Sequence, residues 1–125
     1  MVFGTFDILH PGHRNFFKQA LFEGEELIIV VARDKTVLRF KEHLRHSEEE
    51  RLKAIEKAFP DASVLLGDLE DPLALIRKYH PEKVCLGYDQ VGFSQDLIRE
   101  LPEVKIKRLK PYYPEKYKSS KMMRP

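Results

Sequence analysis

Met1-Val-Phe-Gly-Thr-Phe-Asp-Ile-Leu-His-Pro-Gly-His13 is the stretch that decides the fold of this chain. Its apolar beginning predicts a short β-strand from Met1 to Thr5, and the segment from Gly12 to Phe22 has the apolar spacing of an amphipathic helix. The start of a helix presents unpaired backbone N–H groups and the positive end of the helix dipole, and both attract an anion. The stretch therefore predicts a strand that runs into a phosphate-binding helix start.

Two histidines flank a glycine at this helix start. His10 and His13 lie three residues apart and project from neighbouring parts of the first turn. Gly12 has no side chain to obstruct a phosphate, and Pro11 lacks only an N–H that the first turn does not use. An ordinary corner with two surface histidines is the alternative, but the strand and the His-x-Gly-His tetrad occur together and favour the phosphate site.

The rest of the chain alternates short apolar runs with amphipathic segments, which is the pattern of repeated βα units around a parallel sheet. The continuously apolar run from Leu27 to Ala32 is typical of a strand covered on both faces. Ser47 and Glu50 form a capping box at a predicted helix start. The other predicted strands cover residues 62–66, 83–87 and 104–109, and the other predicted helices cover residues 47–59, 72–79 and 94–100. These segments predict an α/β fold with a five-stranded parallel sheet.

Length and composition fit one domain over residues 1–125. Of these residues 42% are hydrophobic and 34% are charged, which suits a compact globular core. No apolar run reaches the ~20 residues of a membrane span, and no signal peptide precedes the first motif. Cys85 is the one cysteine, which excludes an internal disulfide and favours a reducing compartment. We therefore expect a cytoplasmic protein without a membrane partner.

Polar residues follow several of the predicted strands. In an open parallel sheet, ligands bind beyond the carboxyl ends of the strands, near the point where the strand order reverses. Thr5-Phe6-Asp7 follows the first predicted strand, Arg33-Asp34 the second, and Tyr88-Asp89-Gln90 the fourth. We expect these residues to face one crevice.

The segment Gly4-Thr-Phe-Asp-Ile-Leu-His-Pro-Gly-His13 resembles the signature Gly-Thr/Ser-Phe-Asp-x-x-His-x-Gly-His of the nucleotidyltransferase superfamily. That superfamily includes cytidylyltransferases and small adenylyltransferases, and every position of its signature is filled here. The resemblance implies a Rossmann-like three-layer fold and a bound nucleoside triphosphate, with both histidines contacting its phosphates during nucleotidyl transfer. It also implies a homodimer, because small members of the superfamily commonly pair.

Within the superfamily, Val31-Ala-Arg-Asp34, Leu86-Gly-Tyr-Asp-Gln90 and the final Ser119-Ser120 look most like the archaeal-type FAD synthases, which adenylylate FMN. The glycerol-3-phosphate cytidylyltransferases are next in similarity. Their tail begins Arg-Thr-Glu-Gly where this chain has Tyr113-Pro-Glu-Lys116, and Asn15 stands where they have a lysine. The resemblance therefore implies FMN as the phosphorylated acceptor, with glycerol 3-phosphate and CTP as the alternative.

Nucleotidyl transfer makes few chemical demands on a protein. A phosphate oxygen of the acceptor attacks the α-phosphorus of the triphosphate, and a phosphate monoester is mostly ionised near neutral pH, so the attacker needs no general base. Catalysis consists of alignment and of stabilising charge on the phosphoryl oxygens. We expect Mg²⁺ or another divalent cation to accompany ATP or CTP as co-substrate. A nucleotide-binding module without turnover is the alternative from another functional class.

Positive charge is concentrated at the C-terminal end. The net charge is +2, yet from Lys105 onward there are eight Lys or Arg and one acid, a local +7 that leaves −5 on the first 104 residues. A solvated tail and weak nonspecific attraction for RNA are the alternatives. We interpret residues 110–125 as a basic flap that closes over the triphosphate, and we expect no nucleic acid partner.

The resemblance assigns catalytic roles to four side chains: His10, His13, Lys41 in the basic loop after the second strand, and Arg51 near the start of the Ser47 helix. Solvated surface positions are the alternative for Lys41 and Arg51. A loop cap is the alternative for Asp89, and a plain N-cap for the serines of the tail. No side chain is predicted to bind a metal. The predicted nucleotide-binding residues are Gly4, Thr5, Phe6, Asp7, Gly12, Gly87, Asp89, Gln90, Lys118, Ser119 and Ser120.

Overall fold

A computed structural model describes residues 1–7, 9–39, 44–87 and 90–110, without the side chains of residues 91 and 92. Strands and helices alternate in the predicted order, with one addition, a single-turn helix after the second strand. Among the helices of these residues, none has the length and apolar character needed to cross a bilayer. The elements are β1 (Val2–Gly4), α1 (Pro11–Phe22), β2 (Ile28–Val31), α2 (Asp34–Val37), α3 (Glu48–Ala58), β3 (Ser63–Leu66), α4 (Ala74–Tyr79), β4 (Lys83–Leu86), α5 (Val91–Glu100) and β5 (Lys105–Arg108).

The strands are parallel and form two sheets. β1, β2 and β3 make one sheet, with β2 in the middle and Val2 opposite Ile29. β4 and β5 make the other. β4 lies beside β1, where the Cys85 N–H donates to the Met1 carbonyl at 3.0 Å. The spatial order is therefore β3-β2-β1-β4-β5, and it reverses between β1 and β4.

The prediction of one continuous five-stranded sheet is wrong, because β1 and β4 do not pair along their length. With Cys85 bonded to Met1, a continued ladder would place the Gly87 N–H on the Phe3 carbonyl. Instead the side-chain amide of Gln90 lies between them: it accepts from the Gly87 N–H (2.8 Å) and donates to the Phe3 carbonyl (3.1 Å). The sheet thus divides where the strand order reverses, which is where open α/β sheets bind ligands.

Helices cover both faces of the strands and give the molecule three layers. On one face, α1 and α3 bury Phe17 and Ile55 in a cluster with Ile29. On the other face, Ile76 of α4 and Leu97 of α5 are buried in a second cluster. Each helix uses its apolar stripe to cover strands that are apolar on both sides, as parallel strands are. The three-layer arrangement that the resemblance implies is therefore present.

Side chains fix where two helices of the crevice begin. The Ser47 hydroxyl accepts from the Glu50 N–H, and the Glu50 carboxylate accepts from the Ser47 N–H, which confirms the predicted capping box of α3. His10 caps α1 through its imidazole ring. Because crossover helices run back along parallel strands, both helix starts lie at the carboxyl edge of the sheet.

Candidate functional site

His10 occupies the N-cap of α1 in extended backbone conformation. Its Nδ1 atom accepts a hydrogen bond from the Gly12 N–H at 3.0 Å. A neutral imidazole that accepts at Nδ1 carries its proton at Nε2, so the cap fixes the tautomer. Desolvation of the ring lowers the pKa of His10 below its ordinary value and favours this neutral form. His10 therefore presents an Nε2–H donor at the helix start.

The imidazole ring of His13 packs against the ring of His10. The two imidazoles stack with centroids 3.8 Å apart and planes inclined by 23°. The His13 ring also meets the edge of Phe6, with centroids 5.3 Å apart and planes at 89°. The two stacked rings bring imidazole nitrogens to the start of α1. His10 is held by its bond from Gly12, and His13 by its contact with Phe6.

Gly12 uses its N–H inside the protein. The sequence predicts that Gly12 leaves room for a phosphate because it has no side chain, and in the structure its N–H donates to His10 Nδ1. The N–H of Arg14 likewise donates to the His10 carbonyl at 3.1 Å, within the first helical turn. What Gly12 contributes in this structure is the hydrogen bond that orients His10.

Phe6 is buried in the core rather than turned toward the crevice. Its side chain is 6% exposed and packs edge-on against Phe17, with ring centroids 5.0 Å apart. Its φ of 52° lies in the left-handed region, which costs a residue with a side chain about 1–2 kcal/mol. The turn folds the ring back over Gly4, where a Cβ atom would stand 2.4 Å from the Phe6 Cζ. The Phe6 ring thus packs over Gly4 on one side and contacts the His13 ring with its edge.

Asp7 holds the segment that leads into α3. Its two carboxylate oxygens accept from the N–H groups of Arg45 and His46, each at 3.0 Å. The bond from the Arg45 backbone is the largest cause of a lowered Asp7 pKa. The His46 Nδ1 atom lies 2.8 Å from the Asp7 carbonyl, which ties the two segments a third time. Both oxygens of Asp7 are therefore engaged within the protein.

Arg51 is wholly buried, so it does not occupy the solvated surface position that was the alternative to its predicted catalytic role. Its side chain is 0% exposed. The guanidinium donates to the Thr5 carbonyl (2.8 Å), to the Asp34 carboxylate (2.7 Å) and to the His46 carbonyl (3.3 Å). Thr5 follows β1, Asp34 follows β2 and His46 precedes α3. Arg51 therefore joins the three segments that surround the histidine pair, as a positioning residue.

Glu48 is a residue of this edge that sequence reasoning missed. Its carboxylate accepts from Arg33 Nε at 3.0 Å and from the Asp34 N–H at 2.8 Å. Arg33 also donates to the Gly67 carbonyl at 3.4 Å, after β3. The available signal was the position of Glu48 directly after the Ser47 cap, in a first turn where acids are favoured.

A cavity of about 180 Å³ opens beyond the ends of β1, β2 and β3. Its wall is largely apolar and includes Phe3 and Phe93, whose rings lie 5.0 Å apart at 49°. Charged side chains of both signs also line the cavity: Arg33, Arg39, Asp68 and Glu70. The backbone of Gly4 contributes to the lining, so the cavity begins at the strand that leads to the histidine pair.

The structure brings most of the described candidate residues together in two groups. One group lies at the end of β4 and consists of Gly87 and Gln90. The other surrounds the end of β1 and consists of Gly4 to Asp7, His10, Gly12, His13 and Arg51. Phe3 connects the groups through the Gln90 amide. The predicted residues that lie outside the described part of the chain are Lys41, Asp89, Lys118, Ser119 and Ser120.

Comparisons with known proteins agree with this geometry. The family model described as cytidylyltransferase-like matches residues 1–124. A FAD synthase of Ferroglobus placidus is 41% identical over 97 residues, which are 78% of this chain and 62% of that protein. A FAD synthase of Archaeoglobus fulgidus is 40% identical over 100 residues, covering 80% of this chain and 72% of that protein. The chain thus spans less than two thirds of the first of these relatives.

Two solved structures share the fold. The lipopolysaccharide core biosynthesis protein from Thermoplasma volcanium GSS1 superimposes with a TM-score of 0.80 at 34% identity, covering 90% of this chain and 95% of that one. A protein of unknown function from Archaeoglobus fulgidus gives 0.74 at 14% identity, with 87% of each chain covered, which speaks for the fold alone. With a family match along nearly its whole length, this chain belongs to the cytidylyltransferase-like family.

Proposed function

We propose that this protein is an FMN adenylyltransferase, which transfers AMP from ATP to the phosphate of FMN, forms FAD and releases pyrophosphate. The observation that carries the proposal is the stacked pair of His10 and His13 at the start of α1, inside a complete His-x-Gly-His motif. The similarity to archaeal FAD synthases supports FMN as the acceptor.

The proposed reaction is a single displacement at phosphorus. An oxygen of the FMN phosphate forms a bond to the α-phosphorus of ATP, and the bond from that phosphorus to the bridging oxygen of pyrophosphate breaks. The FMN phosphate is already ionised near neutral pH, so no proton has to be removed. The protein has to hold two polyanions in line and donate hydrogen bonds to the oxygens that gain charge.

His10 and His13 suit that task because they add donors to the positive end of a helix. The cap from Gly12 leaves the Nε2–H of His10 as its donor in the neutral ring. Arg51, which is buried, contributes by fixing the segments around the pair. Lys41, Lys118 and the two serines of the tail remain predicted phosphate contacts, and Asp89 remains a predicted contact to the nucleoside.

The cavity beyond β1 to β3 favours a flat aromatic acceptor over a small polyol phosphate. Its wall is largely apolar and contains the Phe3–Phe93 pair, which suits stacking against a flat ring. Pockets that enclose a whole drug-sized ligand measure about 300–1,000 Å³. The volume of about 180 Å³ therefore fits part of the acceptor, which we assign to the flavin ring system.

The described residues do not by themselves fit a resident metal ion. Among them no three His, Cys, Asp or Glu side chains converge as metal ligands. Mg²⁺ is commonly bound by substrate phosphates and water, with few protein ligands. We therefore propose that the cation enters with ATP, where it neutralises phosphate charge. The homodimer expected from the family resemblance also stays a proposal, which sedimentation of the purified protein tests.

A matrix of substrates tests the proposed function. The purified protein is incubated with Mg²⁺, with each of the four common nucleoside triphosphates in turn, and with FMN or glycerol 3-phosphate. Pyrophosphate release and the flavin products are measured. The proposal predicts FAD and pyrophosphate in equal amounts from ATP and FMN. Turnover only with CTP and glycerol 3-phosphate contradicts it, and triphosphate binding without turnover identifies a binding module.

A further inference from the structure

The gap between β1 and β4 is bridged by one side chain. Gln90 lies directly before α5, and its amide accepts from the Gly87 N–H at 2.8 Å and donates to the Phe3 carbonyl at 3.1 Å. Donor and acceptor partners on opposite sides fix the orientation of the amide group. Gln90 therefore satisfies both backbone groups that a continued ladder would pair with each other, while keeping the two strand ends one side chain apart.

The first turn of α5 contacts Phe3 a second time, through the ring of Phe93. Phe93 follows Gln90 by three residues, a spacing that places both side chains on one face of the helix start. The Phe93 ring packs on the Phe3 ring with centroids 5.0 Å apart, while Gln90 holds the Phe3 carbonyl. The same turn thus contacts the end of β1 and contributes a wall of the cavity.

Gly87 is held from its other side as well. Its carbonyl accepts from Arg108 Nη1 at 2.6 Å and from the Gln90 N–H at 3.1 Å. Arg108 also donates to Ser94 Oγ at 2.9 Å, which joins β5 to α5. The chain that leaves β4 at Gly87 and enters α5 at Gln90 is therefore fixed at both ends by hydrogen bonds.

We propose that Gln90 is a positioning residue that keeps the crevice open between β1 and β4 by holding the end of β4 at Gly87 one side chain away from Phe3 of β1. This inference rests on the proposed function. The sequence predicts that Gln90 binds the nucleotide directly; in the structure its amide oxygen accepts from the Gly87 N–H and its amide nitrogen donates to the Phe3 carbonyl. Its effect on the reaction passes through the spacing of the two strand ends, which determines how well ATP fits between them, so the loss is expected in binding and therefore in KM.

The test compares Gln90→Ala and Gln90→Glu with Gln95→Ala, a matched variant at an exposed position of α5. In Gln90→Ala the Gly87 N–H and the Phe3 carbonyl can pair directly, so we expect the crevice to close while the melting temperature changes little. In Gln90→Glu the bond from Gly87 remains, but a carboxylate oxygen meets the Phe3 carbonyl and drives the strands apart. Both variants should lower kcat/KM for ATP by about 10- to 100-fold, chiefly through KM, and Gln95→Ala should stay within about twofold of the wild type.

Amide hydrogen exchange at Gly87 gives a readout that does not depend on turnover. The wild type and Gln90→Glu should both protect the Gly87 N–H. An unprotected Gly87 amide in the wild type, or wild-type ATP kinetics in both Gln90 variants, overturns the inference. If the wild type forms no FAD, the proposed function fails, and the inference is then decided by the same exchange measurement and by calorimetric titration of the three variants with MgATP.

Discussion

His10 and His13 stack with their ring centroids 3.8 Å apart, and the His10 ring accepts a hydrogen bond from the Gly12 N–H. The cap directs one nitrogen of His10 into the helix start and leaves the other as a donor. His13 is supported from the core side by Phe6. The pair is thus oriented by backbone and packing before any ligand arrives, which is the preorganisation that stabilisation of phosphoryl charge requires.

Replacing His10 with Asn separates the cap from the catalytic donor. Asn is a good N-cap residue, so it can keep the bond from Gly12 and α1 should remain stable. The imidazole Nε2–H is lost, and we expect kcat for FAD formation to fall by about 100-fold. Thermal melting and steady-state kinetics measure the two effects. His80→Asn is the control, because His80 has a left-handed φ of 48° after α4, which Asn tolerates. Equal rates in the wild type and His10→Asn would contradict the role of the ring.

Stability should depend on pH through His10. Desolvation lowers its pKa in the folded state, so the unfolded state takes up the proton more readily. The contribution is fully present above the unfolded pKa of about 6.5 and is lost as pH falls through the folded pKa. Urea unfolding of the wild type and His10→Asn between about pH 7.5 and pH 5 tests this sign. On acidification the free energy of unfolding of the wild type should fall relative to that of His10→Asn, and a relative rise toward acid pH would contradict the assignment.

Arg51→Lys should lower the free energy of unfolding, while the molecules that remain folded should keep most of their turnover. A lysine keeps the charge but cannot reach the Thr5, Asp34 and His46 oxygens together. We expect a loss of about 2–4 kcal/mol in the free energy of unfolding, measured in urea. Lys53→Ala, at an exposed position of α3, is the control. A variant with wild-type stability and greatly reduced turnover would contradict the positioning role and support a direct contact of the Arg51 side chain with substrate.

Gly4→Ala tests the packing of Phe6 over the end of β1. The added Cβ would lie 2.4 Å from the Phe6 Cζ, so the ring has to move. Forcing volume into a packed core costs about 1–3 kcal/mol, and the shift should reach His13 through its edge contact with Phe6. Gly24→Ala is the matched control, since its nearest atom would be 3.9 Å away. If both variants unfold at the wild-type denaturant concentration, the close approach is not tight.

The sequence predicted the order and type of the elements because apolar periodicity and capping signals are local. The Ser47 capping box and the apolar strand at Leu27 are examples. The burial of the Arg51 side chain escaped prediction because it lies in a highly charged helix that looks solvated, while its partner Thr5 is 46 residues earlier. The break between β1 and β4 escaped because the alternation of strands and helices does not encode whether strand ends pair. It depends on where the Gln90 amide points, which only the folded structure shows.

Transfer of label from ATP to flavin tests the central claim most directly. The protein is incubated with FMN, Mg²⁺ and ATP that carries ³²P at the α-position, and the flavins are separated by chromatography. The account predicts labelled FAD and an equal amount of unlabelled pyrophosphate, with FAD formation strongly reduced in His10→Asn. Wild-type protein that binds ATP yet forms no labelled FAD, or a His10→Asn variant that labels FAD at the wild-type rate, would contradict it.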